Sequence, residues 1–575
     1  MATVDPYDLL EQYVSRVGVV GLRTMQPAYF YGGINNDQKL TVTPTGSASS
    51  DVTAIQNAIN TLSTAGGGEV WLQGKEYFVN SNIKLKNNVH IRGNGMFQTK
   101  LTATATLGSS AVLGDTSNVI GSQLVNVIVS DLEIDGSAMP TSPYAIGRKG
   151  IEGNYLQLCM FQNLYIHNTP ASGLGIDNLD RVWIDHCYIK NCGTAGQSQG
   201  SNGVGIGTGG NTNESFIVTN CITENIANSA YLTEDLELVT TTEKMYIFSN
   251  NISINDYTGF SISGCDNVSV IGNQIYSPTN NGIRCIKFVS HNPDNILIKG
   301  NSVIEATSYG ILIENDSTNF SIEGNTVRDG TVEGIYCRGF KGNIVNNIVR
   351  DNGKHGIMIF GAASQPNITD LNITNNFVFN NSKITANSDG IRLDGSNISF
   401  SDIRITGNRC YDDQGTPTQR YGIILSSGTG HSNIDISNNN VRGNKTGGFL
   451  KSNFTMASVA NLTIRNNMGA NPDCYYSQGS VTGATTFNRA NGSHVAATLT
   501  GNITVTLTAG INEGDELTLE LIQDGTGSRT VTWPANFKKA GGTLTLSTGV
   551  AAVDLIKARY DGTNWVEVAR ALNVS

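Results

Sequence analysis

One short frame recurs along most of this chain: an apolar residue, two free positions, an asparagine, one free position and a second apolar residue. It begins at Ile298, Ile322 and Ile344, and a Gly-apolar-x-apolar segment follows the first two copies, at Gly310 and Gly334. A repeat this short cannot bury its own apolar residues, so each copy must pack against its neighbours. The frame therefore constrains the architecture more than any other feature of the sequence.

The asparagine of the frame is found from the first third of the chain almost to residue 470. We assign it to Asn94, Asn220, Asn250, Asn273, Asn301, Asn325, Asn347, Asn376, Asn408, Asn439 and Asn467, and Leu132, Leu164 and Cys187 fit the same position. The repeats are too short and irregular for helical repeats, and they hold alternating apolar runs broken by Gly and Asn. This pattern predicts an all-β protein, a right-handed parallel β-helix with coils about 4.8 Å apart. Inward asparagines would hydrogen-bond from coil to coil.

Composition agrees with stacked coils and excludes some partners. Charged residues make up 15% of the 575 residues, there are 65 glycines, and the formal net charge is −10. Such a charge disfavours nucleic acid or an anionic membrane as a partner, although a local basic groove could still hold a polyanion. The nine cysteines lack a disulfide or zinc pattern, and we expect buried thiols. The start, MATVDPYDLLEQYV, lacks a signal-peptide pattern, which predicts folding in the cytoplasm without membrane insertion.

The pattern of residue types along the sequence predicts three regions. Residues 1–50 are an N-terminal attachment or linker segment, residues 51–474 are the β-helix, and residues 475–575 are a small β-sandwich with longer alternating strands. A helix that begins near Asp51 carries Ile55, Ala58, Ile59 and Leu62 on one face. It is expected to cover the open end of the solenoid.

The opening of the predicted coil resembles a known family. The segments DVTAIQNAINTLSTAGGG, VWL and VHIRGNG are similar to the start of the pectate-lyase-like β-helix superfamily, which includes bacteriophage tailspike and tail-fibre depolymerases. The resemblance covers residue 51 to about 470 and implies a protein that acts on polysaccharide. Val182–His186 matches a pectate lyase signature, but the other hallmarks of those lyases are missing, so a structural role is favoured. The C-terminal region resembles a domain of phage tail proteins, which implies a homotrimer, or sugar binding, and an extracellular role in a virion tail.

Aligning the Gly-apolar-x-apolar strands predicts a candidate site on one face. The residue before each glycine would stand at the lip of a groove, and these residues are Tyr309, Glu333, His355, Asp389 and Tyr421. Alternate strand residues would point outward on the same face, and those with binding chemistry are Glu314, Tyr336, Arg338, Arg392 and Asp394.

The predicted roles follow from side-chain chemistry. Glu333 and Asp389 lie two coils apart, about 9.6 Å between backbones, which approaches the separation of an acid and a base in inverting glycosidases. His355 lies between them and could tune either carboxyl, Tyr309 and Tyr421 could stack on sugar rings, and the arginines could hold acidic sugars. The segments HGI and NSDGI also resemble catalytic elements of the polygalacturonases, in reversed order and without the paired aspartates of that family. We therefore predict a glycoside hydrolase without a required cofactor.

Several alternatives stay open. Glu333, His355 and Asp389 could be a hydrogen-bonded surface ladder, and a second candidate site is the insertion Asn228–Thr242 with Glu234, Asp235 and Glu237. A lyase could use Arg338, Arg392 or Lys287 beside the abstracted proton and Tyr336 as acid, and a non-catalytic tail fibre could use the groove for binding alone. Calcium could bind Asp131, Glu133 and Asp135 if these alternate on one strand, although a solvated strand face is the more common reason for such a pattern.

Overall fold

The structure is a computed structural model. It describes residues 38–197, 199–211, 213–236, 243–314, 317–361, 366–426, 428–452, 459–468, 475–489, 492–508 and 513–574. The chain divides into two compact units, Met1–Ser302 and Val303–Ser575, called here the first and second units. The predicted N-terminal attachment segment lies almost wholly outside the described residues.

A long helix, Ala48–Thr64, packs against the first strands of the first unit. Its apolar face, Ile55, Ile59 and Leu62, is buried as the sequence predicts. Asp51 lies in the first turn, where its carboxylate accepts hydrogen bonds from Thr45 and from the Phe78 backbone N–H. The strand Lys39–Val42 precedes the helix and pairs in parallel with Glu69–Leu72.

Parallel strands build each coil of the first unit, and the strands of successive coils form three faces. The first face holds Lys39–Val42, Gly68–Leu72, Val89–Arg92, Asn213–Thr219, Glu243–Ser249, Val268–Ile271 and Asp294–Lys299. The second face holds Glu76–Val79, Lys100–Ala103, Tyr188–Lys190, Ile222–Glu224, Ile252–Ile254 and Gln274–Tyr276. The third face holds Leu113–Asp115, Leu124–Val125, Ile151–Gln157, Val204–Thr208, Ser229–Asp235, Thr258–Ser263 and Ile283–Ile286. Three long strands bend across two faces: Ile128–Asp135, Met160–His167 and Leu174–Asp185. A 3-10 turn is formed by Ala105–Leu107.

The second unit repeats this plan. Its first face holds Thr318–Glu323, Phe340–Val345, Ile368–Thr374, Phe400–Thr406, His431–Ser437 and Val459–Arg465. Its second face holds Thr326–Arg328, Ile348–Arg350, Phe377–Phe379 and Arg409–Tyr411, and the short strand Ser302–Ile304 contains the boundary of the units. Its third face holds Ile311–Ile313, Ile335–Cys337, Ile357–Phe360, Ile391–Asp394, Tyr421–Ser426 and Gly447–Ser452.

The predicted asparagine ladder is present in both units. In the second unit the Asn347 side chain donates to Asn376 Oδ1 at 3.0 Å, and Asn376 donates to Asn408 Oδ1 at 2.9 Å. Each side-chain amide also donates to a backbone carbonyl of the preceding coil, as Asn376 does to Ile344 O at 2.8 Å. These buried amides are therefore satisfied by their own repeat, which removes the usual cost of burying them.

Three assignments to the ladder are wrong. The ladder positions in two early coils belong to Cys221 and Asn251, and Asn220 and Asn250 precede them with left-handed backbones. Asn94 is exposed and accepts a hydrogen bond from Trp71 Nε1. The error has a physical cause: the residue before the ladder needs a positive φ, which Asn and Gly tolerate best, so Asn is favoured at two adjacent positions.

The C-terminal region has its own core. One mixed sheet joins seven strands, Tyr475–Phe487, His494–Leu507, Glu516–Gln523, Val531–Thr532, Phe537–Lys538, Val553–Tyr560 and Trp565–Val574. Trp565, Phe487 and Ile556 are fully buried in it. The predicted C-terminal β region is thus present as one mixed sheet, whereas the sequence predicted a β-sandwich.

The eight cysteines within the described ranges are all buried and free, as predicted. None of the helices in these ranges combines the length and the hydropathy needed to cross a lipid bilayer.

Candidate functional site

The predicted lip residues lie in consecutive coils on the third face of the second unit. Gly310 N donates to Glu333 O, Gly334 N to His355 O, Gly356 N to Asp389 O and Gly390 N to Tyr421 O, at 2.8–3.2 Å. Strand pairing gives the same register, because Ile335 aligns with Ile357 and Ile357 with Ile391. The coil alignment from sequence therefore places Tyr309, Glu333, His355, Asp389 and Tyr421 in one column.

Aromatic rings and a guanidinium form a continuous surface at one end of this column. The rings of Tyr309 and Tyr336 lie 4.5 Å apart between centroids, and Phe360 follows Tyr336 at 6.2 Å. Arg338 donates from Nε and Nη2 to Tyr336 Oη at 3.2 and 3.0 Å, and its Cζ lies 5.4 Å from the Phe360 ring centre. This set of four residues is called the aromatic–arginine patch below.

Glu333 is a buried carboxyl with few neighbours that would stabilise its negative charge. Its side chain is 9% exposed, and the nearest cation, Lys354 Nζ, lies 3.9 Å away. Burial raises the pKa of Glu333, and the charge of Lys354 opposes that rise. The pKa of Tyr309 is raised as well, first by burial and then by the charge of Glu333. This environment favours the protonated form of Glu333 more than water does.

Asp389 has a different environment. Its side chain is fully buried, and Arg420 donates from Nε to Oδ1 at 2.9 Å and from Nη2 to Oδ2 at 2.8 Å. Arg392 adds a contact from Nη1 to Oδ2 at 3.3 Å. A carboxylate held by two guanidiniums is a fixed ion-pair partner. These contacts suit Asp389 to shaping the wall of the groove more than to activating water.

His355 is held by the backbone of the next coil. Asp389 N donates to His355 Nδ1 at 2.8 Å, so that nitrogen carries no proton. Burial lowers the pKa of His355 to about 4, the charge of Asp389 opposes this shift, and Arg392 and Arg420 add to it. The imidazole is therefore neutral near pH 7.

The other predicted residues border the same face. Arg392 also binds Asp394, with 2.7 Å between Nη2 and Oδ2. The Arg420 Cζ lies 4.9 Å from the ring centre of Tyr421, and Glu314 follows directly after the strand Ile311–Ile313. Sequence reasoning missed Arg420 because the alignment considered lip and outward positions and not the residue before the lip.

The second candidate is only partly described. Glu237 and the rest of 237–242 lie outside the described residues, and Asn228 precedes the strand Ser229–Asp235. Asp235 is buried and its Oδ2 contacts His291 Nδ1 at 2.9 Å and Lys244 Nζ at 3.5 Å. Burial raises the pKa of Glu234 to about 7, and the charge of Asp177 adds to the rise.

The predicted calcium group does not form as expected. Asp131 has a φ of 58°, which breaks the alternation of the strand, and its carboxylate contacts Asn163 and Arg92. Glu133 and Asp135 instead come together with His167, with ligand atoms within 4.8 Å of one another. Lys100 Nζ lies 3.9 Å from Asp135, so a cation would meet a competing positive charge there.

The pectate lyase signature has structural contacts in this fold. Asp185 ends a strand, where its Oδ1 accepts from Asn220 Nδ2 at 2.9 Å and contacts His186 Nδ1 at 2.7 Å. His186 has a φ of 49° and an exposed side chain. These contacts agree with the structural role favoured from sequence.

Three family models match segments of the chain. Residues 39–261 match the model described as rhamnogalacturonase A/epimerase, pectate lyase-like, and residues 238–377 match the right handed beta helix region. Residues 481–565 match the putative phage tail fibre C-terminal domain. The two coil matches overlap and agree with the observed strand repeats.

Individual proteins resemble this chain either over short segments or at low sequence identity. Mannuronan C5-epimerases AlgE2 and AlgE1 of Azotobacter vinelandii are 36% and 35% identical over 101 and 96 residues. These matches cover 16% of this chain and only 10% and 7% of the two relatives. The pre-mature form of bacteriophage phi29 gene product 12 is 14% identical, with a TM-score of 0.51, over 93% of this chain and 69% of that chain. At this identity the likeness shows the fold alone, and it agrees with the match of residues 238–377 to the right handed beta helix model.

Proposed function

We propose that the protein acts on an extracellular polysaccharide, which it binds on the third face of the second unit and cleaves by hydrolysis. The observation that carries the binding step is the aromatic–arginine patch, where Tyr309, Arg338 and Phe360 pack around the buried Tyr336 and bring rings and a guanidinium together. Ring faces bind the apolar C–H faces of sugars, and a guanidinium binds a carboxylate through two parallel hydrogen bonds. The patch therefore favours an acidic glycan.

The relatives support the same substrate class. The matched family model includes rhamnogalacturonase A in its description, and the local relatives are named as mannuronan epimerases. The match of residues 481–565 to a phage tail fibre domain supports a place in a virion tail. A homotrimer built through this C-terminal region is part of the proposal.

Glu333, Asp389 and His355, the predicted catalytic residues, each have a role in this proposal. Glu333 lies on the binding face, where burial raises its pKa, and Asp389 with His355 holds the wall beside it. The catalytic roles predicted from sequence for these three residues stay predictions. A Glu333→Gln variant tests them, because the amide keeps a hydrogen-bond donor and loses the transferable proton.

The test of binding and reaction is a panel of acidic and neutral polysaccharides. Reducing ends and ultraviolet-absorbing unsaturated ends are measured in parallel, together with the affinity for each polymer. We expect reducing ends without unsaturated ends, and a Tyr309→Ala variant with about tenfold weaker binding. Tyr411→Ala is the matched control, since Tyr411 stacks on Phe379 on another face of the same unit. Equal loss in both variants, or no binding by the unmodified protein, contradicts the proposal.

A second candidate reaction is proton abstraction from a uronic acid, as in a lyase or an epimerase. The paired Tyr336 hydroxyl and Arg338 guanidinium favour it, since they could serve a proton transfer beside a sugar carboxylate. Burial raises the pKa of Tyr336, which suits an acid more than a base. Unsaturated ends in the same panel would support this reaction over hydrolysis.

Glycan binding without cleavage is favoured by one further observation. Both oxygens of Asp389 are already held by arginines, so this carboxylate is not free to activate water in the groove. Binding with no new ends of either kind would support this function.

A further inference from the structure

A row of polar and aromatic side chains follows the second face of the first unit. Strand pairing aligns Glu76 with Lys100, and Lys100 with Glu133. The same register continues from Glu133 to Tyr165, and from Tyr165 to Tyr188. These side chains point outward, because the next residue on each strand is buried in the core. Consecutive residues of the row lie in adjacent coils, about 4.8 Å apart at the backbone.

A surface cavity of about 330 Å³ lies beside this row. Its lining residues are Lys75, Glu76, Phe97, Gln98, Lys100 and Glu133. Phe97 belongs to the loop between the strands Val89–Arg92 and Lys100–Ala103, and it is 66% exposed. The volume falls within the roughly 300–1,000 Å³ of ordinary small-ligand sites, and an apolar ring with a few convergent polar groups is typical of such sites.

The Phe97 ring is supported by aromatic rings of later coils. Its centre lies 5.3 Å from that of Tyr165, with 56° between the two ring planes. Tyr165 in turn stacks on Tyr188 and on His167, with 5.1 and 4.3 Å between the ring centres. Phe97 is therefore held in place while much of its ring surface remains accessible. A ring held in this way loses little conformational freedom when a ligand binds.

The polar groups of the cavity carry both signs of charge. Lys100 Nζ lies 3.1 Å from Glu76 Oε1, and both side chains remain partly exposed, by 30% and 38%. The exposed side chains of Lys75 and Gln98 make no ion pair or hydrogen bond with another residue in the described ranges. Two lysines and two glutamates leave the lining without net charge. Such a lining complements a neutral ligand rich in hydroxyls better than a polyanion or a metal ion.

We propose that this cavity binds a neutral sugar unit of the glycan, at a second site apart from the aromatic–arginine patch. This inference rests on the proposed function for its ligand class. The Phe97 ring packs against a C–H face of the sugar. Lys75 and Gln98 donate hydrogen bonds to the sugar hydroxyls, and the carboxylate of Glu76 accepts hydrogen bonds from them. The glycan therefore combines acidic sugars, bound at Arg338, with neutral sugars bound in the cavity.

The test is calorimetry of the full chain with two sets of probes. The neutral probes are hexasaccharides of glucose, mannose, galactose and N-acetylglucosamine, and the acidic probes are hexamers of galacturonate and mannuronate. We expect saturable binding of at least one neutral probe, weakened about tenfold by Phe97→Ala, with the binding of acidic probes unchanged. Tyr276→Ala is the matched control, because Tyr276 is an exposed ring on the same face, bonded to Gln274.

A Gln98→Ala variant tests the polar lining and is expected to weaken binding of the neutral probe about threefold. No saturable binding of any neutral probe, or equal binding by Phe97→Ala and the unmodified protein, would overturn the inference. A change of oligomeric mass in Phe97→Ala without sugar binding would also overturn it, in favour of a contact between copies. Unchanged binding of acidic probes by Tyr309→Ala would instead contradict the proposed function and leave a Phe97-dependent site in place.

Discussion

The third faces of the two units have the same backbone plan and different chemistry. In the first unit Asp177 and Glu234 are separated by Gly207 and have few hydrogen-bond partners. In the second unit Asp389 is enclosed by Arg420 and Arg392. Two carboxyls two coils apart therefore do not by themselves make a catalytic pair, because the neighbours decide whether an acid can exchange a proton.

The same contrast bears on stability. A buried carboxylate with two guanidinium partners stabilises the fold only while all partners remain. A buried carboxylate with few partners instead lowers the free energy of unfolding, and such a residue is retained where it serves function. The four predictions below test this difference, from the largest expected effect to the smallest.

Asp389→Asn is expected to lower the free energy of unfolding by about 3–5 kcal/mol, because it leaves two arginines beside a neutral amide in a buried site. Asp177→Asn, the matched change in the first unit, is expected to alter it by less than about 1 kcal/mol. Urea titration followed by fluorescence measures both. Equal effects of the two variants would remove the proposed distinction.

Stability is expected to fall as the pH decreases from about 6.5 to 4, because the pKa of His355 is lowered to about 4. The unfolded chain binds this proton at a higher pH than the folded chain, so the contribution is present above pH 6.5 and is lost on acidification, by up to about 3 kcal/mol. His355→Gln should flatten the pH dependence between these limits. His186→Gln, at an exposed histidine, should preserve it.

Arg338→Lys is expected to weaken glycan binding about fivefold, because an ammonium cannot form the two parallel hydrogen bonds of a guanidinium or lie flat on Phe360. The control is Arg328→Lys, at an arginine paired with Asp329 on another face. Calorimetry with the preferred polymer compares the two. A similar loss in the control would show that the patch is not specific.

Lys354→Ala is expected to change the free energy of unfolding by less than about 1 kcal/mol, since a half-exposed ion pair at 3.9 Å contributes little. The pKa of Glu333 should rise further, because Lys354 is the charge that lowers it. Carbon NMR of the Glu333 carboxyl during a pH titration measures this. A fall in that pKa would contradict the assigned contact.

The fold could be predicted from sequence because the same hydrogen bonds recur between neighbouring coils. Each ladder asparagine satisfies its own neighbours, so the frame appears in the sequence itself, and the column from Tyr309 to Tyr421 follows from it. The ladder assignments at Asn220 and Asn250 are wrong by one residue because two adjacent positions favour Asn.

The candidate site was harder to predict from sequence because contacts between side chains of different coils determine the environment of each residue. Arg420 reaches Asp389 from the next coil, and Lys149 lies over Gly175 from before its own strand. Glu234 was named from sequence as part of an insertion, but Asp177 was missed. It aligns with Gly207 of the next coil, and glycines look featureless in sequence although side chains of other residues pack over them in the structure.

The most direct test of the account compares the glycan binding of Tyr309→Ala and Tyr411→Ala, measured by calorimetry with the polymer that the unmodified protein binds most tightly. The account predicts about tenfold weaker binding for Tyr309→Ala and unchanged binding for Tyr411→Ala. Equal binding by the two variants would contradict the assignment of glycan binding to the third face of the second unit.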